Sequence, residues 1–202
     1  MIAIINYNVG NLASIRNMFK KIGEQSVITS NFSEIEKASH ILLPGVGHFD
    51  YCMNQFNLSG LKGIIEEKVF NQNTPTLGIC VGHQMLFKCS EEGIEDGLGW
   101  LEGRSVKIKK ELLAKDYKIP NMGWCDMDLK NNATLLKGIE DPRFYMVHSY
   151  HVECDESLVS ATTNYGYDFV SAVEKNNVFG TQFHPEKSHK FGMQLLKNFA
   201  KI

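Results

Sequence analysis

The sequence predicts an α/β fold: a three-layer arrangement with a mostly parallel, mixed sheet, flanking helices and a nucleophile elbow. Three observations predict it. Ile2 to Ile5, Ile41 to Leu43 and Thr76 to Ile79 are short apolar runs, the pattern of strands covered on both faces. Apolar residues at helical spacing fill the stretches between them. Gly78-Ile79-Cys80-Val81-Gly82 then joins the last of these strands to a helix through a tight turn.

Each element has its own signal. After Ile2 to Ile5 comes the turn Tyr7-Asn8-Val9-Gly10. Leu12, Ile15, Phe19 and Ile22 follow on one helical face, with Gly23 as the stop. Val27 to Thr29 is a second strand. Ile41 to Leu43 is a third, cut off by Pro44-Gly45. Leu61, Ile64, Ile65 and Val69 mark a helix, Thr76 to Ile79 a fourth strand, and His83 to Lys88 the start of the next helix. Strand and helix alternate here as they do around a parallel sheet.

The second half changes rhythm. Arg104 to Lys109 alternates apolar and polar residues, and Phe144 to Val147, Val159 to Thr162 and Phe169 to Val173 are strand candidates. Asn176-Asn177 is a hairpin turn, since Asn tolerates positive φ. A last helix carries Phe191, Leu195, Phe199 and Ile202 on one face. With no repeat and no linker, residues 1–202 are expected to form one domain.

Composition excludes several classes of function. The chain of 202 residues is 43% hydrophobic and 22% charged, with a net charge of -2. No basic block points to nucleic acid or an anionic membrane, and no apolar run approaches the ~18 residues of a membrane span. Five cysteines, an odd number with no C-x-x-C pair, fit a reducing cytoplasm better than a disulfide framework. Met1 to Asn6 has no basic n-region and reads as a strand, not a signal peptide. No H-E-x-x-H or zinc-type Cys/His spacing occurs, so neither metal nor cofactor is expected.

The chemistry lies in two motifs. In Gly78-Ile79-Cys80-Val81-Gly82 the turn forces Cys80 into a strained backbone conformation. Its sulfur then sits beside a helix N-terminus that favours thiolate, and the Val81 amide is placed to bind an oxyanion. A lone cysteine after a core strand is usually structural; this setting distinguishes Cys80 from Cys52, Cys89, Cys125 and Cys154. Gly180-Thr181-Gln182-Phe183-His184-Pro185-Glu186 supplies an imidazole to relay the proton and a carboxylate to orient it. Two residues apart in an extended stretch, His184 and Glu186 point the same way. His148 and His151, either side of Ser149-Tyr150, fit a site lining and an exposed turn equally.

Leu77-Gly78-Ile79-Cys80-Val81-Gly82-His83-Gln84 and Gln182-Phe183-His184-Pro185-Glu186 resemble the two signatures of class I (triad) glutamine amidotransferases. Tyr7 to Leu12, Leu43 to Gly47, Met122-Gly123-Trp124 and Val147 to Tyr150 are similar to the glutaminase subunits of imidazole glycerol phosphate synthases. The resemblance implies a triad of Cys80, His184 and Glu186, a thioester intermediate, and an oxyanion site built from the Val46 and Val81 amides. It implies a glutamine site of Gly47, Gln84, Glu92, His148, Ser149 and Tyr150, with Glu92 taking the substrate ammonium group. L-glutamine would be the substrate, and a (β/α)₈ barrel cyclase the partner in a heterodimer, receiving ammonia for histidine biosynthesis.

Asn6-Tyr7-Asn8 stands where this family usually has Asp-Tyr-Gly, Asn121 where it has His, and His83 where it has Met. None of these touches the triad. Asn121 and Met122-Gly123-Trp124 belong to the face expected to meet the cyclase. The alternatives are a paralogue feeding ammonia to a surface-sugar amidotransferase, a related hydrolase, and a non-catalytic interaction subunit. Gly45-Val46-Gly47 is the element expected to be incomplete at rest, since its two glycines make a peptide flip cheap.

Overall fold

A computed structural model of the chain describes residues 1–130 and 133–202. The first half alternates strands with helices, two of them between the third and fourth strands: β1 (Ile2–Ile5), α1 (Leu12–Lys21), β2 (Ser26–Thr29), α2 (Phe32–Glu36), β3 (His40–Gly45), α3 (Phe49–Leu58), α4 (Lys62–Glu66), β4 (Thr76–Cys80) and α5 (Val81–Gln84). A π-helical turn, Glu67–Asn71, extends α4. The second half is strand-rich: β5 (Gly103–Lys107), β6 (Asn121–Asp126), β7 (Asp128–Leu129), β8 (Arg143–His148), β9 (Tyr150–Cys154), β10 (Val159–Asn164), β11 (Asp168–Lys175) and β12 (Val178–Thr181). Helix α6 (His189–Phe199) closes the chain.

The main sheet runs β2-β1-β3-β4-β12-β11-β10-β7, with β9 pairing β11 and β5 off this path. Strands β2, β1, β3, β4 and β12 are mutually parallel; β11, β10, β7, β9 and β5 extend the sheet with antiparallel pairs. The apolar runs explain the parallel part. Every residue of β1 and β4 is buried, as strands between two helical layers must be. Helix α1 packs on α6, α3 on α5 and α2 on α4. Strands β6 and β8 form a separate two-stranded ribbon.

Several elements differ from the sequence reading. Strand β3 runs through Pro44 and Gly45, because its pairing with β1 ends at Leu42 while that with β4 continues to Cys80. A proline there removes no ladder hydrogen bond. Helix α5 is only one turn long. The carbonyls of Met85, Leu86, Phe87 and Lys88 are taken by the amides of Leu98, Leu101, Gly99 and Gly97, which outcompete helix continuation. Helices α2 and α3 and strands β6, β7 and β9 had no place in that reading. Phe49, Cys52, Met53 and Phe56 nonetheless form a buried i, i+3, i+4, i+7 face. Ile202 lies beyond α6 and is exposed, so the buried face ends at Phe199.

Candidate active site

Cys80 ends β4 with φ 56 and ψ −114, the strained geometry an elbow requires. Backbone packing enforces it. A Cβ on Gly82 would lie 2.1 Å from the Leu43 carbonyl oxygen, and one on Gly45 would lie 2.2 Å from the Gly82 nitrogen. Only glycine allows the end of β3 to come this close to the elbow. The contact brings Val46, just past β3, beside Val81 at the start of α5.

His184 follows β12. Its amide donates to the Tyr145 carbonyl at 2.9 Å, and its own carbonyl accepts from the Ser188 hydroxyl at 2.7 Å. Ser188 Oγ also accepts from the Tyr145 amide at 3.0 Å, stitching the segment to β8. The motif is not extended throughout, because Pro185–Lys187 is a 3₁₀ turn. That turn carries Glu186 back beneath the imidazole, and His184 Nδ1–H donates to Glu186 Oε1 at 2.8 Å.

Both side chains are about 2% exposed. Burial alone would depress the imidazole pKa. The contacts to Cys80 and Glu186 outweigh it and raise His184 to about 10. Nε2 of His184 is buried and lacks a conventional hydrogen-bond partner; the Cys80 sulfur is on that side of the ring. A buried imidazole between a sulfur and a carboxylate is the arrangement of a nucleophile, its base and the group that orients the base.

These groups open on a cavity of about 320 Å³, lined in part by Val46, Gly47, Cys80, Val81, Gln84, Glu92, His148, Ser149, Tyr150 and His184. The size is at the low end for ligand sites, roughly 300–1,000 Å³, and suits an amino acid better than a nucleotide. Every predicted site residue lines it except Glu186, which stands behind His184. Pro120, Val147 and Lys187 line it too; Val147 and Lys187 belong to segments that carry the family resemblance but have no role assigned by it, and no sequence signal points to Pro120.

The residues expected to bind glutamine are held by further contacts. Glu92 Oε2 accepts from the Phe49 amide at 2.8 Å. Its loop is fixed by Asp50, which accepts from the Ile94 and Glu95 amides at 3.1 and 3.0 Å. Gln84 Nε2 donates to the Tyr150 carbonyl at 3.1 Å and to Gln182 Oε1 at 3.0 Å. Gln182 Nε2 in turn lies 3.9 Å from Cys80 Sγ as a donor. Gln182 stood in the second motif without a role; its place beside the sulfur is visible only in three dimensions.

His148 is buried, not exposed. Burial drives its pKa down to about 4, so the ring is neutral. It donates from Nδ1 to the Tyr150 carbonyl at 2.8 Å, and Nε2 accepts from Asn121 Nδ2 at 3.1 Å. Asn121 is therefore not on the outer face, where the sequence reading had put it. It is 1% exposed, whereas Met122 is 61% and Trp124 40% exposed. Strand alternation turns neighbours to opposite sides of β6. His151 is also buried and bonds the Tyr167 hydroxyl at 2.8 Å, outside the cavity lining.

Among the described residues, no group of three or more His, Cys, Asp or Glu side chains is arranged to hold a metal ion. No described helix is long and apolar enough to cross a membrane.

Comparison with known proteins adds to this geometry. The family model for glutamine amidotransferase class-I matches residues 3–202. Imidazole glycerol phosphate synthase subunit HisH 2 of Methanococcus maripaludis is 48% identical, covering 100% of this chain and 99% of that protein. The subunit HisH 2 of Pseudomonas aeruginosa is 46% identical with 100% of both chains covered, and the subunit HisH of Bdellovibrio bacteriovorus is 45% identical with 100% of both covered. A solved structure described as a glutamine amidotransferase superposes with a TM-score of 0.75 at 17% identity, covering 100% of both chains. At that identity the structural likeness speaks for the fold alone.

Proposed function

The chain belongs to the class I glutamine amidotransferase family, and from that premise we infer that it is the glutaminase subunit of an imidazole glycerol phosphate synthase. It hydrolyses L-glutamine to L-glutamate and ammonia for histidine biosynthesis. Full-length relatives at 45–48% identity carry that subunit name. The observation that carries the mechanism is the buried His184–Glu186 pair facing Cys80 across the cavity floor.

The Cys80 thiolate attacks the side-chain amide carbon of glutamine, and the oxyanion forms between the Val81 and Val46 amides. His184, cationic at neutral pH, gives its Nε2 proton to the departing nitrogen, which leaves as ammonia. Water then attacks the thioester while His184 takes a proton from it. The carbon–sulfur bond breaks, glutamate leaves, and the thiolate–imidazolium pair is restored. Glu186 holds the ring through Nδ1 and stabilises its charge. Glu92 offers a carboxylate to the substrate ammonium, and Gly47, Gln84, His148, Ser149 and Tyr150 line the remaining contact surface.

The ammonia goes to a (β/α)₈ barrel cyclase subunit in a heterodimer, in the cytoplasm. The whole chain acts as one glutaminase domain. Exposed Met122 and Trp124, on the ribbon whose other strand leads into His148, form the docking face nearest the site. A second reading is a paralogue serving a surface-sugar amidotransferase. It is favoured by the numeral 2 in two of the relatives' names. Glutamate and ammonia production, measured alone and with each candidate cyclase, tests both. No turnover under any condition refutes the glutaminase; stimulation by the sugar-pathway cyclase alone selects the paralogue.

A further inference from the structure

The oxyanion segment Pro44–Gly47 is tied to the fold on both sides of one peptide. The Tyr7 hydroxyl donates to the Pro44 carbonyl. The Cys52 thiol donates to the Val46 carbonyl at 3.4 Å. These bonds fix the Pro44–Gly45 and Val46–Gly47 peptides. Between them lies the Gly45–Val46 peptide, whose N–H is the second oxyanion donor of the proposed function.

Gly45 pairs with Cys80 across β3 and β4, so the Gly45–Val46 peptide lies beside the elbow. Neither of the two bonds holds that peptide itself, and the glycines on both sides of Val46 leave it free to rotate, so its rotation sets where the Val46 N–H points.

We propose that Tyr7 and Cys52 are positioning residues that confine this rotation to a single peptide. With both flanking peptides pinned, a flip delivers the Val46 N–H to a fixed point beside the Val81 N–H. Without a pin, the whole segment shifts and the donor misses that point. Both groups suit the task. Tyr7 and Cys52 are buried, and Tyr7 also lies within reach of the Met85 sulfur at 3.5 Å. Burial, with the Cys52 and Cys80 sulfurs nearby, holds the Tyr7 phenol well above its ordinary pKa. Burial pushes the Cys52 thiol up to about 12 despite its bond to Val46. Both therefore remain protonated donors across the working pH range.

The proposal rests on the glutaminase reading, and the test separates the two. Glutamine turnover is measured for wild type, Cys80→Ala, Tyr7→Phe, Cys52→Ala and Cys52→Ser, alone and with the stimulating cyclase. Alkylation of Cys80 by iodoacetamide, followed by peptide mapping, reports the sulfur without needing an oxyanion site. In Tyr7→Phe and Cys52→Ala, stimulated kcat should fall about tenfold, less than the roughly 10²–10³ for outright loss of an oxyanion donor. KM and the Cys80 alkylation rate should stay within about twofold, since ground-state binding and the sulfur are untouched. Cys52→Ser, which keeps a donor, should recover most of the loss.

Full turnover in both Tyr7→Phe and Cys52→Ala, with Cys80→Ala inactive, overturns the pins and leaves the glutaminase standing. Parallel loss of turnover and alkylation, or no rescue by serine, also overturns them. Equal turnover in wild type and Cys80→Ala overturns both readings.

Discussion

His184 Nδ1 lies 2.8 Å from Glu186 Oε1, and both side chains are almost fully buried. A proton on that ring is thus held from one side by a carboxylate and from the other by the Cys80 sulfur.

The pH dependence follows. His184 is raised to about 10 from an ordinary imidazole value. The pair therefore stabilises the fold fully below about 6.5 and loses that contribution as pH rises through the raised value. On the basic side, kcat/KM should persist past neutrality and fall as His184 loses its proton near pH 10. Glu186→Gln removes one source of the shift and should move that limb towards neutrality. A wild-type limb already near pH 7 would contradict the ion pair.

Reactivity should distinguish the cysteines. A diazoketone analogue of glutamine should modify Cys80 and leave Cys52, which burial holds as a thiol with a pKa of about 12. Peptide mass mapping reads the result, and labelling at Cys52 with Cys80 untouched would reject the nucleophile. His184→Ala should cost at least the ~10²–10⁴ typical of acid–base catalysis.

Glu92 has two tasks that substitutions can separate. Glu92→Gln keeps an oxygen for the Phe49 amide but loses the charge facing the substrate ammonium. KM should rise with little change in kcat. Glu92→Ala also strands the Phe49 N–H at the start of α3, so it should lower stability by a further ~1 kcal/mol. Equal melting temperatures for the two variants would argue against the helix-anchoring task.

Coupling to the cyclase should be large. A single oxyanion donor is worth ~10²–10³ in rate, so the isolated chain should be slower by that order than the complex with a ligand-loaded cyclase. Trp124→Ala should weaken stimulation and spare basal turnover, because the exposed indole stacks on His189, outside the cavity. Full activity in the isolated chain would reject gating without touching the triad.

Local patterns carried much of this. The continuous apolar runs of β1, β3 and β4 are dictated by burial on both faces, so the strands could be read directly. The elbow was legible because glycines at 78 and 82 and a cysteine at 80 are needed together wherever a nucleophile sits on a sharp turn. His184 and Glu186 were legible as types, but their 2.8 Å contact depends on the 3₁₀ turn between them. The α3 face is present in the sequence as Phe49, Cys52, Met53 and Phe56, but only the packing of α3 in the fold shows that these four are buried together. Helix α5 stops short of its apolar pattern because the carbonyls of Met85 to Lys88 are claimed by amides of Gly97 to Leu101, a competition that no local window contains.

By itself the sequence determined the fold class and the family, and it picked out Cys80 and His184 as the candidate nucleophile and base, because each depends on residue types at short, fixed spacing. Only the tertiary structure decided that Asn121 faces inward to His148, that Gln182 reaches the sulfur, and that Tyr7 and Cys52 grip opposite ends of the oxyanion segment. Those contacts join residues from 6 to 102 positions apart. A hydrogen bond depends on distance and angle in space, and the position of its partner along the chain is fixed only when the sheet and its helices have packed.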